Sequence, residues 1–250
     1  MILIKLGGSI ITNKDRPLSP RRKTIDSLAK NLRRIDEPVV LIHGGGSFGH
    51  YWSVKYDMHT KPKKYDPRGT AVVKNSMVDL HRIILDSLLK NKLNPYCLPP
   101  ESFMHGNKPI PNKIKEIVKI SKSDLIPVTF GDALWYGQNK TYILSGDKIM
   151  GHLSEILKPR LCVFALNEDG LYNDLNEKKL IQEFKNEKPS MSENKMDVTG
   201  GMMRKVEEAT KISRNGIKVF FVNGNNPQRI VNAVKNNKFY GTVFRGKRCV

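Results

Sequence analysis

The sequence lacks any apolar stretch approaching the roughly 18 residues that a membrane helix needs. Its opening Met1-Ile2-Leu3-Ile4 run breaks at Lys5 and has no signal-peptide pattern, so the expected location is the cytoplasm, with no membrane partner. Cysteine is scarce. Cys97, Cys162 and Cys249 are far apart and odd in number, which excludes a disulfide framework and a cysteine-based zinc site. Cys97 and Cys162 lie in apolar runs and read as buried, inert thiols. His43, His50 and His59 lack metal-site spacing, so no zinc is assigned. Acidic residues are also few, 24 against 43 Lys and Arg, leaving a net charge of +19. Such a balance favours polyanionic partners, either nucleotides and phosphorylated metabolites or nucleic acid. The basic residues are dispersed, with denser patches only at Arg21-Arg22-Lys23 and Arg245 to Arg248. Dispersion reads as a solvated surface, and no nucleic-acid partner is expected.

What is present is a globular chain of 250 residues with 39% apolar content, no internal repeat and no low-complexity linker. The stretch that organises it is Leu41-Ile42-His43-Gly44-Gly45-Gly46-Ser47-Phe48-Gly49-His50. The apolar run Val39 to Ile42 reads as a buried strand. Three glycines follow, and Ser47 is placed to cap a helix whose first turn carries His50. Glycines let backbone N–H groups crowd around an anion, and a helix N-terminus adds partial positive charge. A second such turn, Gly7-Gly8-Ser9, follows the strand Ile2 to Leu6. Pro20 and the apolar positions Ile25, Leu28, Leu32 and Ile35 mark the helix between the two strands. A strand–helix–strand crossover puts both glycine turns on one edge of a parallel sheet.

Further along, Asp57 to Gly69 reads as a surface loop. Val73, Met77, Leu80, Ile84 and Leu88 mark a long helix whose stripe, taken alone, is core. Tyr96 to Leu98 and Leu125 to Phe130 read as strands, the latter ending at Gly131-Asp132. Asn107 to Pro111 reads as a turn and Ile114 to Ile120 as a helix. Ser145-Gly146-Asp147 opens a helix through Leu157, and Leu161 to Leu166 is a buried strand ending near Asp169-Gly170. Asn173 to Asn194 carries weak structural signals. Thr199-Gly200-Gly201 opens a helix to Asn215, with Gly216 as its C-cap. Val219 to Val222 is a strand, Pro227 starts a helix, and Thr242-Val243-Phe244 forms a final edge strand. The alternation predicts an α/β fold, a mostly parallel sheet between helices, with its site at the carboxyl ends of the strands.

Two familiar nucleotide motifs fail on context. Gly44 to Gly49 satisfies G-x-G-x-x-G, yet the next strand, Tyr96 to Leu98, ends in prolines and not in the acidic residue that would take a ribose. Gly241 to Arg248 nearly matches a P-loop, but Arg248 replaces the Ser/Thr and no helix follows. The remaining constellation is glycine turns with charged partners: Lys5 beside Gly7-Gly8-Ser9, His50 beside Gly44 to Gly46, Asp147 after Ser145-Gly146, and Lys205 after Gly200-Gly201. A lysine within a buried strand is costly unless it reaches an anion, which makes Lys5 the most telling. Lysines around phosphate loops suit phosphoryl transfer, where catalysis is positioning and charge neutralisation.

These segments, Lys5 to Ser9, His43 to Gly46, Gly131-Asp132, Ser145 to Asp147 and Val198 to Met202, resemble the successive motifs of the amino acid kinase superfamily over about Met1 to Phe244. Within it, Gly44 to His50 and Ile11-Thr12-Asn13-Lys14 are similar to the isopentenyl phosphate kinases of the archaeal mevalonate route, with fosfomycin kinases as close relatives. The resemblance implies a three-layer αβα fold, a homodimer, and ATP-dependent phosphorylation of isopentenyl phosphate. It implies one domain with an acceptor lobe at 1–158 and a nucleotide lobe at 159–250. It also implies that His50 holds the acceptor phosphate, with Gly45 and Gly131 lining its site and Val73 and Met77 meeting a hydrocarbon tail. Lys5 would bridge the transferring group, Lys14 stabilise its charge, and Asp147 hold Lys5. Gly7, Gly8, Ser9, Gly46, Asp169, Gly200, Gly201 and Lys205 would meet the nucleotide, with Mg2+ carried by its phosphates. Leu166-Asn167-Glu168-Asp169-Gly170 departs from the family's Thr-Asp-Val-Asp-Gly, which bears on base or ribose contacts more than on the chemistry. Asn13 stands where aspartate is commoner. A non-catalytic nucleic-acid-binding or regulatory protein on this scaffold is disfavoured by the intact Lys5, Lys14, His50 and Lys205.

Overall fold

The computed structural model describes residues 1–64, 66–173, 179–185, 200–236 and 238–245. In chain order, β1 (Ile2–Leu6) leads through the one-turn α1 (Gly8–Ile11) and α2 (Arg22–Leu32) to β2 (Val39–His43) and α3 (Gly46–Lys55). The short β3 (Lys63–Lys64) precedes the long α4 (Pro67–Lys90), β4 (Pro95–Cys97), and a small pair, β5 (Met104–His105) and β6 (Lys108–Pro109). Next come α5 (Pro111–Ser121), β7 (Ile126–Phe130), β8 (Asp132–Gly137), β9 (Lys140–Leu144), α6 (Gly146–Leu157) and β10 (Leu161–Leu166). After β11 (Leu171–Tyr172), β12 (Leu180–Ile181) and β13 (Glu183–Lys185) stand α7 (Gly200–Arg214), β14 (Lys218–Asn223), α8 (Gln228–Val234) and β15 (Gly241–Arg245).

Eight strands form the main sheet in the order β13-β15-β14-β10-β1-β2-β7-β4. The six from β14 to β4 are parallel, and β15 runs antiparallel to β14. β1 and β2 are buried along their whole length, as a parallel strand covered on both faces must be. Alternation along β1 sends Ile2, Ile4 and Leu6 into a core with α1, α2, α4 and α8, while Leu3 faces a second core built with α5, α6 and α7. The three-layer architecture follows from these two faces. Lys5 shares the face of Leu3, so the period of the strand aims it at the start of α6.

Several elements differ from the sequence reading. The helix after β2 begins at Gly46 with Gly45 at its cap position, so Ser47 is inside the first turn rather than capping it. Ser47 instead donates its N–H to Thr12 Oγ1 (2.9 Å), and its hydroxyl accepts from Ser19 N–H (3.2 Å). The expected loop at Asp57 to Gly69 contains β3 and the start of α4, where Asp66 accepts from Arg68 N–H (3.0 Å) and Pro67 occupies the first turn. The segment after Gly131 is a β-hairpin, β8–β9, which joins β3 in a three-stranded antiparallel sheet. Asn107 belongs to the turn between β5 and β6, and α5 starts at Pro111. β15 is internal, because β13 pairs with its outer side. Cys97 is exposed at the sheet edge, whereas Cys162 is buried; Cys249 lies outside the described residues. Within Asn173 to Asn194, residues 174–178 and 186–194 lie outside the described residues, as does Thr199.

Candidate active site

The site is assembled at the carboxyl ends of adjacent parallel strands, where the ladder of hydrogen bonds continues into the turns. Gly7 N–H donates to Ala165 C=O (2.9 Å), Gly44 N–H to Leu6 C=O (2.9 Å) and Gly131 N–H to His43 C=O (3.1 Å). These bonds fix the turns after β1, β2 and β7 relative to one another. The first two turns touch. A Cβ added to Gly8 would overlap Gly46 N and stand 2.6 Å from its Cα. Gly46 has φ +49°, and a Cβ there would overlap Thr12 Oγ1 and stand 2.6 Å from Gly8 O. Only glycine meets both demands.

Thr12 stitches this contact. Its hydroxyl donates to Gly8 C=O (2.8 Å) and accepts from Ser47 N–H, and it is almost fully buried. Sequence reasoning assigned Thr12 no role, since one hydroxyl between Ile11 and Asn13 carries no periodic signal. Ser9 donates its hydroxyl to Asn167 Oδ1 (3.0 Å), so the altered Leu166-Asn167-Glu168 segment bears directly on the first turn.

Three of the singled-out charged residues converge. Lys5, 3% exposed, places Nζ 2.5 Å from Asp147 Oδ1, and Lys205 Nζ stands 4.0 Å from Asp147 Oδ2. Asp147 is held there by the start of α6, where Ser145 caps the helix by accepting from Lys148 N–H (3.2 Å). The absence of a side chain at Gly146 admits Lys5, since a Cβ would stand 3.1 Å from its Cε. Burial works against ionisation of Asp147, but Lys5, Lys205 and Arg204 outweigh it and hold the carboxyl below its ordinary value. Lys205 is pushed down to about 8, first by burial, then by Lys5, with Arg204 and Lys14 adding to the repulsion and Asp147 opposing it. Lys205 also donates to Gly201 C=O (2.8 Å) in the first turn of α7, the helix that Gly200 opens. Crowded cations with one carboxylate between them suit an anion carrying several charges.

His50 is exposed on α3, five residues into the helix and one turn past Gly46, and Lys14 is exposed beyond α1. Val73 and Met77 are fully buried on α4, and Met77 Sδ packs beneath the second turn, 3.0 Å from where a Cβ of Gly45 would lie. Gly131 packs against α6, where a Cβ would stand 3.0 Å from Gly146 N. Asp169 stands apart from the lysine cluster, at the end of β10. It accepts from Asn223 Nδ2 (2.9 Å) and pairs closely with Arg229, and these partners hold it ionised against its own burial.

One group was named in sequence only as part of a motif and given no role. Asp132, directly after Gly131, is buried; it accepts from Lys74 Nζ (2.6 Å) and from Ala133 N–H (2.7 Å). Burial pushes its carboxyl up to about 6 against the pull of Lys74. The pair with Asp132 ties Lys74, and so α4, to the β8–β9 hairpin, while Lys74 also pairs closely with Glu101 in the turn after β4. An acidic residue at a strand end was visible in sequence, but its partner, 58 residues away, was not.

Among the described residues, no group of three or more His, Cys, Asp or Glu side chains could hold a metal ion. The site offers backbone N–H groups and ammonium cations, the donor set for phosphate and not for a resident metal.

Comparison with known proteins agrees with this chemistry. The model of the Amino acid kinase family matches residues 1–223. An isopentenyl phosphate kinase of Thermoplasma acidophilum is 30% identical over 254 residues, covering 98% of this chain and all of that protein. One from Methanocaldococcus jannaschii is 30% identical, covering 94% of this chain and 95% of its own. The crystal structure of the T. acidophilum isopentenyl phosphate kinase in a product complex superposes with a TM-score of 0.82 at 28% identity, over 98% of this chain and 100% of that one. Glycine turns at parallel strand ends, cations between them and a family match over most of the chain lead to one assignment: this chain belongs to the amino acid kinase family.

Proposed function

We propose that the protein transfers the γ-phosphoryl group of ATP to isopentenyl phosphate, giving isopentenyl diphosphate and ADP, in isoprenoid synthesis by an archaeal-type mevalonate route. The observation that carries this reading is the contact between the two glycine turns, with the Lys5–Asp147–Lys205 cluster at the same strand ends and His50 exposed one turn into α3. The first turn, Gly7-Gly8-Ser9, with Gly46, Gly200 and Gly201, is assigned to the ATP phosphates. The second turn, with Gly45, Gly131 and His50, is assigned to the acceptor phosphate, and Val73 and Met77 to the floor beneath its tail. Lys5 bridges the moving group, Lys14 meets its developing charge, Asp147 aims Lys5, and Lys205 meets the nucleotide phosphates. Asp169 is assigned to the nucleotide side through its hold on Arg229. Transfer of this kind needs little covalent chemistry from the protein; what it needs is alignment and cations placed where charge moves.

Magnesium belongs with the nucleotide in this reading, ligated by phosphate oxygens, as is usual for that ion. Residues 1–158 form the acceptor lobe and 159–250 the nucleotide lobe of one domain. The protein is assigned to the cytoplasm as a homodimer. Among the described residues β4 ends the main sheet, and Tyr96 on it and Val78 and Leu89 on α4 are exposed apolar side chains, which supports pairing of two chains through this side.

The test is release of ADP from ATP with isopentenyl phosphate, fosfomycin or uridylate as acceptor. Turnover with isopentenyl phosphate well above the other two is expected. No turnover with it sinks the proposal, and selective turnover of fosfomycin identifies a phosphonate kinase on the same fold.

A further inference from the structure

A chain of hydrogen bonds, buried at its centre, runs from the sheet edge to the second glycine turn. His43 Nδ1 lies 3.1 Å from Gly44 O, His43 Nε2 lies 3.0 Å from His81 Nδ1, and His81 Nε2 lies 3.3 Å from Cys97 Sγ. His43 and His81 are buried, and Cys97 is exposed on β4. The two rings stack on each other at 5.3 Å between centroids, and both lie against Phe130. Burial, with His81 adding to it, pushes His43 down to about 3; burial alone pushes His81 down to about 4. Both rings are therefore neutral at neutral pH, each with one donor and one acceptor nitrogen. Burial raises the Cys97 thiol, so its sulfur keeps its proton.

Donor accounting then leaves one arrangement. A carbonyl oxygen can only accept, so His43 Nδ1 carries the proton and donates to Gly44 O. His43 Nε2 must accept, so His81 Nδ1 donates to it. His81 Nε2 must accept in turn, and the Cys97 S–H donates. The chain therefore points inward along its whole length and ends on the peptide unit joining Gly44 and Gly45. In a trans peptide the C=O and N–H point in opposite directions. Holding Gly44 O against His43 turns Gly45 N–H away from the buried rings, to the side where the acceptor phosphate is assigned.

We propose that His81 is a positioning residue for the acceptor turn: acting through His43, it fixes the Gly44–Gly45 peptide plane, and the Cys97 thiol is the outer donor that sets the sense of the chain. The positioning role rests on the acceptor assignment of that turn, whereas the sense of the chain does not. None of the three side chains is assigned a contact with substrate.

Two measurements test this. In the wild-type protein without substrate, long-range 1H–15N spectra of the imidazoles should show both His43 and His81 as Nδ1–H tautomers. An Nε2–H form at either ring overturns the proposal whatever the enzyme phosphorylates. The second measurement compares Cys97→Ser, which keeps a donor, with Cys97→Ala, which removes it. Cys97→Ala should raise the KM for isopentenyl phosphate about fivefold, on the scale of one neutral hydrogen bond, with kcat and the KM for ATP unchanged. Cys97→Ser should stay within about twofold of wild type on the same scale. Equal KM values for the two variants overturn the proposal, because packing and not donation would then be at work. Wild-type turnover, measured first, tests the substrate assignment separately. If another acceptor is used, its KM is the one compared.

Discussion

Lys5→Met should separate stability from activity, because the ion pair it breaks is asymmetric. Nζ of Lys5 is buried, and among the described residues the carboxylate within ion-pair distance is Asp147, with Oδ1 at 2.5 Å. Asp147 has more exposure and a second cation, Lys205, 4.0 Å from its other oxygen. Removing the carboxylate leaves an ammonium in the core without its counter-charge, a loss of about 3–5 kcal/mol for a buried pair. Removing the lysine leaves Asp147 still beside Lys205. The methionine also fills nearly the same volume over Phe164, whose ring centroid lies 5.8 Å from Nζ. A volume-conserving change of this kind should cost under about 1.5 kcal/mol. Lys5→Met is therefore expected to unfold in urea near the wild-type midpoint, and Asp147→Asn far below it. Activity should rank differently. Losing the cation at the moving phosphoryl group should lower kcat about 10²–10³-fold, the scale of one preorganised electrostatic partner. ATP should also stabilise Asp147→Asn more than wild type, since its phosphates supply the missing negative charge; a ligand at 100 times its Kd contributes about 2.7 kcal/mol. The measurements are urea unfolding at pH 7.5 with and without a non-hydrolysable ATP analogue, and steady-state ADP release. If Lys5→Met lost 3 kcal/mol or more, Lys5 would be a structural ion-pair partner rather than a cation held ready for phosphate; if Asp147→Asn were as stable as wild type, Asp147 would not be the counter-charge that Lys5 needs, and the asymmetry argued here would fall.

Two further outcomes follow from the site. Lys205 is lowered to about 8, so its charge is present below that pH and lost above it; kcat/KM for ATP should fall as pH rises through about 8. Lys205→Arg should remove that limb up to pH about 10, since arginine stays charged throughout. A limb that persists near pH 8 in the variant assigns the titration to another group. Gly46→Ala should cost on the order of 2–4 kcal/mol, since it meets Thr12 and Gly8 and holds φ +49°. Gly201→Ala, in a helix with open space around it, should gain about 0.5–1 kcal/mol. Thermal midpoints of the pair decide this, and equal midpoints refute the close-contact argument.

The parts of the fold legible in sequence were those fixed by local chemistry. β1, β2, β7, β10 and β14 are short apolar runs because each is covered on both faces, and the glycines after them mark places where turns crowd together. Lys5 was legible for the same reason, as a charge inside such a run. The β8–β9 hairpin was not. Its tip runs through Gly137, Gln138 and Asn139, all with positive φ, without the Asn-Gly or Asp-Gly pair that announces a tight turn, and Trp135 and Tyr136 on β8 are exposed. β15 read as an edge because its outer neighbour, β13, is a three-residue strand in a polar stretch. His81 was hidden by its position next to Leu80 in the apolar stripe of α4, and its partners His43 and Cys97 come from two strands, β2 and β4. Thr12, Asp132 and His81 share one property: each works through a partner far away in sequence, and single-chain periodicity carries no information about such pairs.

The contact between Gly8 and Gly46 has a consequence for the reach of the enzyme. Neighbouring strands in a sheet lie about 4.8 Å apart, and the two turns leave neighbouring strands with no side chain between them. Two phosphates, one seated on each turn, are thereby brought close to the roughly 3–3.5 Å separation of reacting atoms from which transfer starts. That gap belongs to the backbone of the sheet. Changes at His50, Val73 or Met77 can alter which molecule is held and how tightly. They leave the length of the phosphoryl group's journey as it is, so variation in acceptor should appear as changed affinity long before it appears as a different kind of reaction.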